Sequence, residues 1–225
     1  MANPKLLPCD SDVLIQLFLV DELRPFQELK KSFGIQPTVS LEVDVELRWL
    51  NRYRDQFVPQ LEKALQRGVL AKLDQRYFQS LLSETPPTTS WASYQALGAQ
   101  YDGYIGMGEA YTYAAAITFG VPAVSNDYRA IQTLQGQMLS LPTPVLRGFD
   151  LLVFALDVGI LPMKDCERIR SELVKNGEGI PRAFTHSSFE NGLKSFKCRL
   201  QEGKVSRTES STTADFFDPL TIARV

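Results

Sequence analysis

Three short apolar runs, at residues 6–9, 39–43 and 121–125, are separated by long stretches of helical periodicity and each is followed by an acid. This alternation constrains the chain more than any other feature. Short apolar runs bounded by turn residues make buried strands, and strands joined by long helical crossovers pair in parallel rather than as hairpins. The pattern predicts an α/β fold, with a mainly parallel central sheet between helical layers. Helices are expected over residues 13–19 and over 23–33, the second stopped by Gly34. Others are expected over the alanine-rich residues 108–119, stopped by Gly120, and over 151–160 and 164–175. The end of the second strand is ambiguous. Val39, Leu41 and Val43 alternate, but Val43, Leu47, Leu50 and Phe57 share a helical stripe, so strand passes into helix near residues 40–44.

Residues 48–82 read as a helical hairpin, 83–90 as a loop rich in turn residues, and 91–99 as a short helix. After Gly177 and Gly179 the character changes. Phe189, Leu193, Phe196 and Leu200 fall at helical spacing, which predicts a helix over 187–200 that either packs on its own domain or forms a dimer or partner surface. The expected organisation is one domain over residues 1–175, with a helical insertion at 48–99, and a partly flexible, partly helical C-terminal extension over 176–225.

Composition removes several function classes. The formal charge of −2 provides no global basic field for nucleic acid, so such contact must come from local patches. Residues 48–76 hold seven cations (Arg48, Arg52, Arg54, Lys63, Arg67, Lys72 and Arg76) against three acids. Residues 191–207 hold five (Lys194, Lys197, Arg199, Lys204 and Arg207) against Glu202. Each patch either tracks a phosphate backbone or is a solvated helix face. Tyr53, Tyr77, Phe78 and Trp91 either stack on unpaired bases or belong to the core. Cys9, Cys166 and Cys198 lie far apart with no paired spacing, so neither a disulfide framework nor a zinc site is expected, and a reducing cytoplasm fits. The single histidine, His186, has no partner histidine. There is no Gly-x-Ser-x-Gly elbow, P-loop or dinucleotide fingerprint. No secretory leader is expected at the N-terminus, and residues 13–20, interrupted by Gln16, are too short to span a bilayer.

Four acids stand at places where an open parallel sheet gathers ligands. Asp10 ends the first strand, Glu46 is expected to open the helix after the second, Glu109 opens the alanine-rich helix, and Asp127 follows the third apolar run. Two carboxylates 4 Å apart repel by about 4 kcal/mol at an effective dielectric near 20. A cluster therefore persists only if some acids hold protons or a cation offsets the repulsion. Ligation by oxygen alone selects hard cations, Mg²⁺ or Mn²⁺. Taken singly, each acid also reads as an ordinary cap or helix-dipole partner.

The segment Asp10-Ser11-Asp12-Val13-Leu14-Ile15 resembles the opening motif of PIN-domain proteins. Residues 40–47, with Ser40 before the Glu46-Leu47 pair, resemble the second motif. Gly108-Glu109-Ala110 resembles the third, and Ser125-Asn126-Asp127 the fourth. Residues 148–160 resemble the C-terminal helix of PIN proteins carrying the Gly-Glu-Ala signature. The resemblance covers about residues 6–175. It implies a Mg²⁺- or Mn²⁺-dependent ribonuclease, often the VapC-type toxin of a toxin–antitoxin pair, with RNA as substrate and an antitoxin protein and a homodimer as partners.

By this resemblance Asp10, Glu109 and Asp127 are metal ligands, Glu46 completes the catalytic acid set, and Ser125 and Asn126 orient acids or substrate. Asp12 stands where the family has a small neutral residue and is either an extra ligand or a cap of the following helix. Arg129 either clamps a phosphate or pairs with one of the acids. The third acid is Glu where many toxins have Asp, and the stretch between the second and third motifs is long. Two further readings are a non-catalytic PIN-like interaction module and a DNA-directed nuclease of the same fold.

Overall fold

The computed structural model describes residues 5–49, 54–81, 90–136 and 145–196. β1 (Lys5–Pro8) leads through Cys9 and Asp10 into α1 (Ser11–Leu19). Asp10 is extended, with φ −83° and ψ 161°, and caps α1 by accepting the Ser11 N–H. α2 (Arg24–Phe33) begins with a proline in its first turn and ends at Gly34. Gly34 adopts φ +64°, the left-handed conformation that lets the chain turn directly into β2 (Ile35–Ser40).

β2 is buried at all six positions, with α2 and α7 (Met107–Phe119) packed against it, so it has no polar face. This is why it lacks a clean alternation. The second strand therefore starts earlier and stops sooner than the apolar run suggested: it begins at Ile35 and ends at Ser40, and Leu41 opens α3 (Leu41–Trp49). The Ser40 hydroxyl accepts the Val43 N–H and stabilises that start. Glu46 consequently lies in the second turn of α3 and does not open the helix.

The region expected to be a helical hairpin differs more. α4 (Arg54–Gln66) is followed by β3 (Ala71–Leu73), then α5 (Gln75–Leu81). β3 pairs in parallel with the end of β2, Thr38 opposite Ala71 and Ser40 opposite Leu73. Three residues with Lys72 in the middle carry no periodic signal, and only the exposed edge of β2 makes them a strand. Residues 48–99 therefore contribute to the sheet as well as to the helical layer. α6 (Trp91–Asp102), capped by Ser90, packs along α7. Phe78, Trp91, Tyr94 and Phe119 form an aromatic group with ring centroids 5.1–5.6 Å apart. Phe78 is thus a core side chain rather than a stacking platform; Trp91 and Tyr77 are half-buried against the core, and Tyr53 lies outside the described residues.

β4 (Ala123–Val124) pairs in parallel with β5 (Val145–Leu146), and α8 (Tyr128–Gly136) follows β4. β5 is too short for a periodic signature, whereas α8 buries Ala130, Ile131 and Leu134 on one face at helical spacing. A parallel bridge from Cys9 to Val124, with the Asp10 N–H donating to the Val124 carbonyl at 2.9 Å, joins β4 to β1. Across the molecule the strands thus run β3-β2-β1-β4-β5, all parallel where they pair. The protein is a mixed α/β structure, mostly helical around a small parallel sheet, and compatible with three layers.

α9 (Gly148–Asp157) and α10 (Met163–Lys175) follow. The first part of the expected extension packs on them: α11 (Arg182–Thr185) and α12 (Phe189–Leu193) set Phe184 and Phe189 against Phe149, and Leu193 and Phe196 complete the cluster. The helix expected over 187–200 is therefore only five residues long, and the described part of its stripe packs on its own chain. Leu200 and Cys198 lie outside the described residues. His186 is an exposed residue at the end of α11.

Candidate functional site

Strand order decides where the site lies. From β1 the chain moves outward to β2 and β3, then returns to the other side of β1 to form β4 and β5. The reversal falls between β1 and β4. In open parallel sheets a crevice opens at such a switch point, beyond the carboxyl ends of the strands. Asp10 leaves β1 there, and Ser125-Asn126-Asp127 leaves β4 there.

Asp10 is fully buried. Its Oδ1 accepts the Ser11 N–H at 2.7 Å and its Oδ2 accepts the Ser125 hydroxyl at 3.1 Å. Burial raises its pKa well above the carboxylate range, and the negative charges of Asp12, Glu109 and Glu46 push the same way, against the Ser11 N–H. Asp12 is pushed up to about 7, first by burial and then by Glu109 and Asp127, although the Asn126 N–H opposes this. Its Oδ2 accepts that N–H at 2.8 Å, while its Oδ1 is buried without a hydrogen-bond partner. Asp12 thus ties α1 to the β4 loop, and the cap of α1 is Asp10.

Glu46 and Glu109 are both raised, chiefly by burial; Glu109 acts further on Glu46, and Asp127 on Glu109. Glu46 Oε2 is buried and unpartnered, and lies so close to Gly108 that a Cβ there would overlap it. The same Cβ position is 3.3 Å from Asp10 Oδ1. Glycine at 108 therefore lets α7 approach both acids, a role distinct from any turn conformation. Asp127 Oδ1 accepts the N–H groups of Arg129 and Ala130 at 2.7 and 3.1 Å and so caps α8. Its own N–H donates to the Ser125 hydroxyl.

The structure thus brings Asp10, Asp12, Glu46, Glu109 and Asp127 into one electrostatic neighbourhood. Among the described residues, however, no three or more acid, histidine or cysteine side chains stand in an arrangement that would hold a metal ion as they are. Several of their oxygens are engaged by backbone N–H groups instead. Glu42, another half-buried acid with an unpartnered oxygen, lies apart, beside Asp102, Tyr94 and Tyr111.

Asn126 is the hub around these acids. Its N–H holds Asp12, its Nδ2 donates to Gln16 Oε1 at 3.0 Å, and its Oδ1 accepts the Gly148 N–H at 2.9 Å. Gln16 Nε2 in turn donates to the Gly179 carbonyl at 2.7 Å. Gln16 had a visible signal, as a polar residue in the apolar face of α1, but its partner 163 residues away could not be read from the sequence. A cleft of about 630 Å³ opens beside this chain of bonds, bounded by Asp12, Tyr128, Arg147 and the 178–182 segment. Its inner wall carries Asp12, Ser125 and Asn126 from the first and fourth motifs, whereas no motif pointed to its outer wall at residues 178–182.

Within the expected basic patches Arg48 and Lys72 are neutralised, whereas Lys63, Arg67, Arg76 and Lys194 form no ion pair among the described residues. Arg48 pairs with Asp44 and Glu62, and Lys72 with Asp44. Lys63 and Arg67 border a second cleft of about 410 Å³ with Arg24 and Arg168, which both pair with the buried Glu22. Arg52, Lys197, Arg199, Lys204 and Arg207 lie outside the described residues. Arg129 is exposed and forms no ion pair with any described acid. Among the described residues no helix is long and apolar enough to cross a membrane. Comparison with protein-family models, curated proteins and solved structures finds no match to this chain.

These acids have a measurable consequence. Asp10, Asp12, Glu46 and Glu109 keep protons to higher pH in the folded chain than when unfolded. Between the ordinary carboxylate range and about 7, the value for Asp12, the folded state therefore binds more protons, and stability falls as pH rises. Asp165, lowered by its hydrogen bond with Arg24, acts in the opposite sense but only over a lower window. In EDTA the melting temperature is expected to be lower at pH 8 than at pH 5. A scanning-calorimetry profile that is flat or rising across that interval contradicts the mutual burial of these acids.

Proposed function

We propose that the chain is a PIN-type nuclease that uses Mg²⁺ or Mn²⁺ to hydrolyse RNA phosphodiester bonds, as the toxin of a toxin–antitoxin pair does. The observation that carries this reading is the position of Asp10: fully buried at the carboxyl end of the middle strand, at the switch point, with three other acids raising its pKa. Burying mutually repelling carboxylates is unfavourable without a cation. The unpartnered buried oxygens of Asp12 and Glu46 leave acceptors beside such an ion for the water it would carry.

Asp10, Glu109 and Asp127 would hold the ion. When bound, it lowers the pKa of attacking water and stabilises charge on the phosphate. Glu46 Oε2 is free to accept a hydrogen bond from the attacking water and orient it. Ser125 and Asn126 fix Asp10 and Asp12 through the bonds described above. Water adds to phosphorus, the bond to the leaving ribose oxygen breaks, and that oxygen takes up a proton. Arg129, exposed beside Asp127, is available to a substrate phosphate.

A second reading, a non-catalytic PIN-like module, is favoured by the lack of a ready-made metal arrangement among the described residues. Thermal melts and cleavage assays separate the two. Millimolar Mn²⁺ is expected to raise the melting temperature by several degrees, as binding to the folded state alone requires. Single-stranded RNA is expected to be cut in Mn²⁺ and not in EDTA. No thermal shift together with no cleavage sinks the nuclease reading in favour of the module. Cleavage of single-stranded or flap DNA in preference to RNA makes the same site a DNA-directed one.

A further inference from the structure

We propose that the cleft beside the acids is a nucleotide-binding subsite whose outer wall is built by the segment after α10, so that residues 178–182 contribute directly to substrate recognition. The choice of a nucleotide as ligand rests on the nuclease reading; the cleft itself does not. Its volume of about 630 Å³ lies within the range of small-ligand sites. It is continuous with the acid site, because Asp12 lines it and Asn126, which holds Asp12, lines it too. A strand passing the acids would therefore enter it with the neighbouring nucleotide.

Its groups match the chemistry of a nucleotide. Tyr128 lines the cleft and is 58% exposed, so it offers a face on which a base can stack. Arg182, exposed at the first position of α11, has no ion-pair partner among the described residues and is available to a phosphate. Arg147, by contrast, is held by Asp150 and lies over the Phe196 ring, so it shapes the wall and fixes local charge. The wall is built rather than incidental. Gln16 Nε2 donates to the Gly179 carbonyl, and the Phe184–Phe189–Phe149 cluster anchors the residues that follow.

The test is fluorescence anisotropy with a labelled single-stranded RNA oligonucleotide, in EDTA so that nothing is cut. Wild type is compared with Tyr128→Ala, Arg182→Gln and, as a control in the other basic cleft, Arg67→Gln. Tyr128→Ala is expected to weaken binding by about tenfold, the scale of one lost stacking contact. Arg182→Gln is expected to weaken it and to flatten its salt dependence by about one phosphate contact. Arg67→Gln is expected to leave affinity unchanged. Unchanged affinity in both cleft variants, equal loss in the control, or no saturable binding by wild type overturns the assignment. A parallel cleavage assay in Mn²⁺ keeps the two ideas apart. Cutting with cleft variants that bind normally leaves the nuclease and removes the subsite, whereas variant-sensitive binding without cutting leaves the subsite and removes the nuclease. Tighter binding of single-stranded DNA than RNA identifies the same cleft as a site for DNA.

Discussion

Asp10→Asn is expected to raise the melting temperature of the metal-free protein and to cut RNA cleavage by about 10²–10³-fold, the scale of losing one charge-stabilising group at a reaction centre. The two effects have one cause. Asp10 is fully buried, and Asp12, Glu109 and Glu46 all disfavour its negative charge. Asparagine has nearly the same shape, can accept the Ser11 N–H and is a good helix cap. Its amide can donate to the Ser125 oxygen once that hydroxyl rotates. The variant thus keeps the local hydrogen bonds and loses the repulsion.

The stabilisation should be a few degrees, since 1 kcal/mol moves the midpoint of a domain this size by roughly 2–4 °C. In Mn²⁺ the order is expected to reverse, because wild type gains binding energy that the variant has lost. Calorimetry in EDTA and in Mn²⁺, alongside cleavage assays, reads all three quantities. A variant less stable than wild type in EDTA and equally responsive to Mn²⁺ identifies Asp10 as a structural cap and nothing more.

Phe184→Ala is expected to cost about 3–5 kcal/mol, within the range for emptying a fully buried aromatic site. That is a drop of roughly 6–20 °C in melting temperature. Phe184 is fully buried, with ring centroids 4.8 Å from Phe149, 4.9 Å from Phe189 and 4.8 Å from Phe196. Its backbone carbonyl accepts from Arg170. A Cβ at Gly192 would overlap its ring, so α12 lies directly against it and cannot slide in to fill the space freely. Urea denaturation measures the loss. A change below about 1 kcal/mol, the cost of an ordinary substitution, would show that residues beyond 176 are an independent appendage.

Some of this was legible in the chain. The helix stops at Gly34 and Gly120 follow from residue type, because both sit at φ +64° where side chains are strained. α1 and α10 follow from periodicity over nine and thirteen residues, and α7 from its alanine-rich composition and the stop at Gly120. The acids Asp10, Glu109 and Asp127 were found because each stands at the boundary of a recognisable element, and boundaries are local. Their residue types limit the metal proposed for them, since oxygen ligands alone select hard cations.

Tertiary structure decided the rest. β3 and β5 are three and two residues long, too short for any period, and exist because a neighbouring strand offers unpaired backbone groups; β4 lies within the apolar run 121–125 but pairs over only two residues. β2 hid its limits because it is covered on both faces. Only the strand order places the ends of β1 and β4 side by side, making neighbours of acids more than a hundred residues apart. The cleft walled by Gly179 and Arg182 depends on the same kind of long-range closure. Sequence specifies which groups can bond and which segments can coil, since those are properties of a few adjacent residues. Which distant groups meet, and whether buried carboxylates repel one another or share a cation, is set by packing.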